Sequence, residues 1–213
     1  MTIQSEVLTK LQARTAFHVL ISCDVSPCQM AQSLPLHSSW QPRGQRAHRF
    51  LSQHLMQHFA LNPTALDEDC ADPVVRSVLL LPAANLLRFA RHLGVILAAG
   101  EVRHVISRAE VQAYRAALGA ELYDFQMERA LLLGAHGLPM QQFGAEQIMN
   151  AIELSGLRGL QALIEQTRPD LWSRLRLKLP VVWDNLPDLP VQLPPYSTLF
   201  SLVRRLFREL EAQ

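Results

Sequence analysis

The stretch from Leu79 to Gly137 limits the fold more than any other, because it reads as consecutive helices with clear start and stop signals. Its first helix is predicted to begin at Pro82, since proline lacks the N–H that a first helical residue leaves unbonded, and to end at Gly100, a favourable C′ residue. One face carries apolar residues at helical spacing and is expected to be buried: Leu86, Ala90, Leu93 and Leu97. Another face is expected to form a polar edge of Asn85, Arg88 and His92.

Helical spacing and helix-end signals recur along the rest of the chain. Further helices are predicted near Ala47, over Glu101–Ile106, from Ser107 to Gly119, over Leu122–Leu133, over Ala145–Leu154, over Leu157–Gln166, from the Thr167–Pro169 region and over Ser197–Leu210. Ser107 and Glu110 have the spacing of a capping box, in which each side chain bonds to a free backbone N–H. Gly156 and Gly159 indicate either a break between two helices or a tight crossing.

The sequence of two segments is compatible with either a helix or a strand. Residues 4–21 fit a first helix, although their apolar residues partly alternate as in a short strand. The segment RLRLKLP alternates strictly, but an edge strand would have no evident partner. We favour a basic helix C-terminus there, because cationic side chains suit the negative end of the helix dipole.

Five prolines predict a stiff extended strap before the last helix: Pro180, Pro187, Pro190, Pro194 and Pro195. The expected fold is all-α, a single irregular multi-helix orthogonal bundle with a proline-rich segment before the C-terminal helix. One domain is expected over residues 1–213, with a weakly defined N-terminal region at 1–45, a core at 46–180, and the strap and C-terminal helix at 181–213.

Composition narrows the class of protein. A net charge of +1 gives no global electrostatic support for binding nucleic acid or an anionic membrane. Cys23, Cys28 and Cys70 are odd in number and lack the spacing of a redox or zinc motif, and no segment reads as a signal peptide or a membrane span, so a soluble intracellular protein is expected. The 49% content of hydrophobic residues fits partner-covered apolar surface or, more simply, a leucine- and alanine-rich helical core.

Motifs that would indicate an enzyme are missing. The chain lacks the GxSxG elbow, the GxxxxGK phosphate loop and the GxGxxG turn. His48, His54 and His58 lie on a predicted helix, and a metal-dependent helical enzyme using them is an alternative. A surface or packing role for these histidines is favoured, because the glutamate of an HExxH pattern is absent. No catalytic residue, metal or cofactor is therefore predicted.

Charged residues cluster in three places. An acidic run precedes the central helices and contains Asp67, Glu68, Asp69 and Asp72. Two basic runs are Arg43, Arg46 and Arg49, and Arg204, Arg205 and Arg208 on the last helix. Each cluster is most simply a solvated face. Clusters of opposite sign nevertheless give the electrostatic complementarity that protein contacts use.

The central residues also show a specific order of features. They read LLPAANLLRFARHLGVILAAGEVRHVISRAEVQAYRAALGAELYDF. The order consists of a proline-led helix, the RHLGVIL core, the step Glu101-Val102-Arg103, and the Leu118-Gly119 break before a Tyr-Asp-Phe helix. This order resembles the SctK family, also called YscK, an accessory component of bacterial type III secretion systems. RLRLKLP is similar to the segment that closes the helical body in that family, so the resemblance covers roughly residues 40–182.

The resemblance implies an all-helical, non-enzymatic cytoplasmic adaptor of the sorting platform. Such proteins link the cytoplasmic domain of the inner-membrane ring component SctD to the pod component SctQ, and so support secretion of effector proteins. Binding to either protein is assigned to exposed charge and to the polar edge of the central helix, namely to Asp67, Glu68, Asp69, Arg88, His92, Arg204, Arg205 and Arg208. Besides the metal-dependent enzyme, a helical export chaperone is an alternative.

Overall fold

The computed structural model describes residues 44–61, 72–98, 107–130, 132–133, 143–186 and 189–211. All regular structure in these ranges is helical, which confirms the all-α prediction. The α-helices are α1 (Gln45–His58), α2 (Pro73–Leu80), α3 (Ala83–Ala98), α4 (Arg108–Glu128), α5 (Ala145–Thr167), α6 (Trp172–Arg176) and α7 (Tyr196–Glu211), with 3-10 helices at Pro169–Leu171 and Val181–Asn185. Predictions for residues 1–43, Gly100, Glu101–Ile106 and Gly134–Gly137 lie outside the described residues.

The chain divides into two compact units, one of residues 1–87 and 164–181 and the other of residues 88–163 and 182–213. The single domain expected over residues 1–213 therefore stays a prediction.

In the first unit, α1 buries Leu55 in a small apolar cluster with Leu61 and Leu177. The chain leaves α1 through Ala60, whose φ of 47° is left-handed, and Leu61 N donates to the Met56 carbonyl at 2.8 Å. This reverse bond is typical of helix ends that turn through a left-handed residue.

Helix α2 was not predicted as a separate element, although its start signal is present in the sequence. Pro73 occupies the first turn, and the Asp72 carboxylate accepts a hydrogen bond from Val74 N at 2.8 Å. An aspartate followed by proline is a favourable helix start, since the carboxylate satisfies a free N–H and proline needs none. Asp72 therefore caps a helix instead of belonging only to a solvated acidic loop.

In the second unit, α3 and α5 cross closely. A Cβ atom on Gly94 would overlap the Ile152 carbonyl oxygen, and one on Gly156 would overlap the Ala90 carbonyl oxygen. Each helix thus supplies the glycine that admits the backbone of the other. Helix α5 is continuous through Gly156, so the tight crossing is confirmed and the predicted break is wrong.

Helix α4 contains the break predicted at Gly119. This glycine has φ 74° and ψ 165°, values outside the helical region, so two helical segments meet there. Within the part of the chain that is described, the Ser107 side chain makes no capping bond, and the capping-box prediction is wrong; the helix instead starts with Val111 N donating to the Ser107 carbonyl at 2.9 Å. Helix α4 ends at Glu128 rather than at Leu133.

Two further boundaries differ from prediction. Thr167 closes α5, with its hydroxyl donating to the Ile164 carbonyl at 3.2 Å, and so does not start the next helix. Pro169 does open a helical turn, as expected. RLRLKLP continues from α6 into turns, which confirms the helix end favoured over a strand.

The strap was predicted to be extended, which is wrong for its first part, because Val181–Asn185 form a 3-10 helix. Beyond Asn185 its described residues reach α7 without a regular helix. Within the second unit, Arg158 Nη1 on α5 donates to the Leu189 carbonyl of this segment at 3.4 Å. Helix α7 then buries Leu199, Leu202, Val203 and Leu206. Its Phe207 ring lies 6.2 Å from the ring of Phe89 on α3.

Candidate functional site

Three polar residues of the second unit form a cluster between α3 and α4. Arg88 Nε donates to Glu121 Oε1 at 2.8 Å, and both side chains are about half exposed or more. His92 Nε2 lies 3.8 Å from the same carboxylate oxygen. The Arg88 guanidinium is therefore already paired within the protein, although it is still accessible to a partner.

His92 does not lie on an exposed polar edge, which corrects the prediction made for it. The side chain is only 2% exposed, because its ring packs edge-on against Phe125 at 4.5 Å between centroids. Its Nδ1 lies 2.8 Å from the Arg88 carbonyl one helical turn earlier, a distance at which an Nδ1–H donates to that oxygen. Of the three residues predicted to form the polar edge of α3, Asn85 and Arg88 are exposed.

Burial lowers the pKa of His92 from its ordinary value of 6.5. The hydrogen bond with the Arg88 carbonyl and the nearby Glu121 carboxylate oppose this shift, and the Arg88 charge adds to it. The neutral ring, with its hydrogen on Nδ1, therefore fits this site best.

The three arginines of α7 lie on its exposed side, opposite the buried leucines. Arg205 Nη1 donates to the Leu133 carbonyl at 3.4 Å. One turn further on, Glu209 pairs at 3.3 Å with Arg129, the residue that follows α4, so the charge of Glu209 is partly neutralised. Arg204 and Arg208 are also exposed and form a basic edge on α7.

The acidic residues Asp67, Glu68 and Asp69 lie outside the described residues. Their assignment as contact residues stays a prediction.

Two of the α1 histidines pack against other rings. His54 and His58 stack at 6.2 Å between ring centroids, and the His58 ring packs edge-on against Phe59. Among the residues that the structure describes, no three His, Cys, Asp or Glu side chains are grouped as metal ligands would be. Neither a metal nor a cofactor is assigned to any described residue.

Three features were missed by reasoning from the sequence. Arg91 on α3 donates twice to Glu153 Oε1 on α5, at 2.7 and 3.1 Å, across 62 residues of sequence. Lys178 Nζ donates to the carbonyls of Leu79 and Leu81. Neither partnership leaves a local sequence signal. The third feature is the exposure of Phe50. It follows from helix geometry, because Leu51 and Leu55 lie on the buried side of α1 and Phe50 does not.

These observations define an all-α protein in which several described polar side chains join helices, while other charged side chains lie on exposed helix faces. Among the described helices, none is both long and apolar enough to cross a bilayer. Residues 8–210 match the family model described as YOP proteins translocation protein K (YscK). The chain therefore belongs to the YscK family and is a type III secretion protein, which confirms the resemblance seen in the sequence. Searches of curated proteins and of solved structures gave no significant match.

Proposed function

We propose that this protein is a non-enzymatic cytoplasmic adaptor of the type III secretion sorting platform. It links the cytoplasmic domain of SctD to SctQ at the cytoplasmic face of the inner membrane, and so supports secretion of effector proteins. The observation that carries the proposal is the YscK family match over residues 8–210, because this family resemblance implies the adaptor role.

The chemistry of the described residues supports an adaptor more than an enzyme. Arg91 and Glu153 join α3 to α5, and Lys178 binds backbone carbonyls at the end of α2. These polar groups form contacts that stabilise the packing of the protein's own helices. An adaptor needs accessible faces, and α7 offers one in its exposed arginines.

The proposed contact residues have opposite charges. Asp67, Glu68 and Asp69 form one group, and Arg204, Arg205 and Arg208 form the other, with Arg88 beside its partner Glu121 as an additional accessible cation. Charges at an interface rim steer association and select partners. His92 is not retained as a contact residue, because it is buried.

Reconstitution tests the adaptor role directly. The purified full-length chain is mixed with the SctD cytoplasmic domain and SctQ, and complexes are separated by size-exclusion chromatography. A ternary complex that forms only when this chain is present is expected. Failure to bridge the two proteins would overturn the adaptor role.

Charge reversal tests the contact residues. One variant carries Arg204→Glu, Arg205→Glu and Arg208→Glu, and the other carries Asp67→Lys, Glu68→Lys and Asp69→Lys. Each is expected to weaken binding to SctD or SctQ at least about tenfold. Arg108→Glu and Glu128→Lys are matched controls at exposed charges outside both groups. If both triple variants bind and secrete like the parent chain, the assignment of these residues is wrong.

Copurification from the native cell separates this role from its alternatives. An adaptor is expected to copurify with ring and pod components, whereas an export chaperone would copurify with a secreted substrate. Stoichiometric zinc, iron or manganese in the purified chain would instead favour a metal-dependent enzyme.

A further inference from the structure

Helix α1 presents an outward face with an unusual combination of residues. We call it the α1 face, and it consists of the exposed side chains of Arg46, Arg49, Phe50, Gln53 and Gln57. Phe50 is 69% exposed, although it is one of the largest apolar side chains in the helix. This aromatic ring therefore lies in solvent on the same face as Arg46 and Arg49.

The geometry of α1 explains why Phe50 is not part of the core. Leu51 and Leu55 are buried, at 1% and 0% exposure, and they set the inner side of the helix. Successive residues turn by about 100° in an α-helix, so Phe50 lies beside Arg46, roughly one turn away, on the outer side. Burial of an aromatic side chain stabilises a folded protein, and most of this stabilisation is not gained at Phe50, because it is 69% exposed.

A single exposed apolar residue is ordinary, so charge provides the second observation. The sequence of α1 is QRAHRFLSQHLMQH, which contains no acidic residue. Arg46 and Arg49 make no hydrogen bond or ion pair within the described part of the chain. The α1 face thus combines an exposed aromatic ring with two guanidinium groups that have no partner among the described residues. Both side-chain types are enriched among interface residues that dominate binding energy.

We infer that the α1 face binds an acidic segment of a partner protein that also carries an apolar anchor residue. The partner's carboxylates pair with Arg46 and Arg49, since guanidinium groups form two-pronged hydrogen bonds with carboxylates. Its apolar side chain covers Phe50 and removes the exposed ring from water. The inference rests on the proposed function, in that the chain works by binding other proteins of the apparatus.

Two other anionic partners fit this face less well. An anionic membrane attracts each basic side chain only weakly, so attachment needs a larger basic cluster than two arginines. Nucleic-acid binding rests on many phosphate contacts, and the net charge of the chain is +1. A protein segment uses both the arginines and the ring, which makes it the best match.

In-cell photocrosslinking tests the inference with the full-length chain. Phe50 is replaced by the photoreactive p-benzoylphenylalanine in cells that assemble the secretion apparatus, and adducts are mapped by mass spectrometry. The expected adduct joins position 50 to a protein segment that contains several Asp or Glu residues and at least one large apolar residue. The same replacement at Val182, which is 66% exposed, is the positional control and is not expected to give this adduct.

Charge variants make the assay specific. Arg46→Glu combined with Arg49→Glu is expected to reduce the adduct at least about tenfold, whereas Arg108→Glu leaves it unchanged. Replacing the acidic residues of the captured segment by lysine is expected to restore the adduct in the double variant. Thermal unfolding of each variant checks that the fold is retained, which is expected because all substituted side chains are exposed.

Several outcomes would overturn the inference. These are no adduct above the Val182 control, an adduct with lipid or nucleic acid, and an adduct with residues 62–70 of the same chain or with a second copy. Insensitivity to the arginine reversal would also overturn it. The proposed function fails separately: intact bridging of SctD and SctQ without an adduct rejects the α1 face alone. An adduct with another acidic protein, together with failed bridging, rejects the adaptor role alone.

Discussion

Gly156 on α5 lies directly against the backbone of Ala90 on α3, so that a Cβ atom at position 156 would sit 2.9 Å from the Ala90 carbonyl carbon. The opposite contact repeats this arrangement, with a Cβ at Gly94 placed 2.8 Å from the Ile152 carbonyl carbon. Backbone atoms cannot move aside as the end of a flexible side chain can. The close approach of these two helices therefore depends on glycine at both positions.

Gly94→Ala and Gly156→Ala are each expected to destabilise the protein by about 1–3 kcal/mol, because the added methyl group forces the helices apart. Equilibrium urea denaturation of the full chain measures the change. Gly144→Ala is the control, since no atom lies within 4 Å of the added Cβ, and its cost is expected to stay below about 1 kcal/mol. Equal effects at all three glycines would contradict the tight crossing.

Replacing Glu153 by glutamine is expected to cost about 1–2 kcal/mol. The Glu153 carboxylate is 12% exposed and accepts two hydrogen bonds from Arg91, while the 37% exposure of Arg91 lets water recover part of the loss. Glu209→Gln is the matched control, because its partner Arg129 is 50% exposed at 3.3 Å, and its effect is expected to be below about 1 kcal/mol. Denaturation of both variants at the same salt concentration gives the comparison. A larger loss for Glu209→Gln would show that the Arg91 pair does not secure the α3–α5 contact.

Lys178→Met is expected to destabilise the first unit by about 1–3 kcal/mol, because it leaves buried carbonyl groups without their donor. Lys178 is 5% exposed, and its Nζ donates to Leu79 at 3.0 Å and to Leu81 at 2.8 Å, where α2 ends. Amide hydrogen exchange should rise in the last turn of α2. Ser173→Ala, an exposed substitution on α6, serves as control. Unchanged exchange at α2 in the methionine variant would argue against this capping role.

The stability of the protein is expected to fall as the pH is lowered below about 6.5, in part through His92. Burial lowers the pKa of folded His92 below 6.5, so the unfolded chain binds more protons between the two pKa values. This contribution is complete above the unfolded pKa and is lost as the pH falls towards the folded one. Urea denaturation at about pH 7.5 and about pH 5.5 measures it. His92→Gln should lose less stability between these pH values than the parent chain; an equal loss would exclude a contribution from His92.

Local signals in the sequence predicted most helices, because helix formation depends on side-chain spacing and end residues within a few turns. Pro82, Gly119 and Pro169 each mark a helix start or break that the structure contains. Asp72 and Pro73 carried an equally readable signal for α2 that was not used. The family was also predictable from the sequence, since its order of caps and apolar residues is itself a sequence property.

Tertiary structure decided the questions that involve distant residues. The sequence allowed Gly156 to break a helix or to admit another one, and only the backbone of Ala90 selected the crossing. His92 follows the spacing of a polar edge but is buried, because Phe125 from another helix covers it. Arg91 and Glu153 are 62 residues apart, and no local pattern pairs them. Sequence alone thus determined where the chain is helical and to which family it belongs, whereas packing between distant segments decided which polar groups are buried and which faces remain exposed.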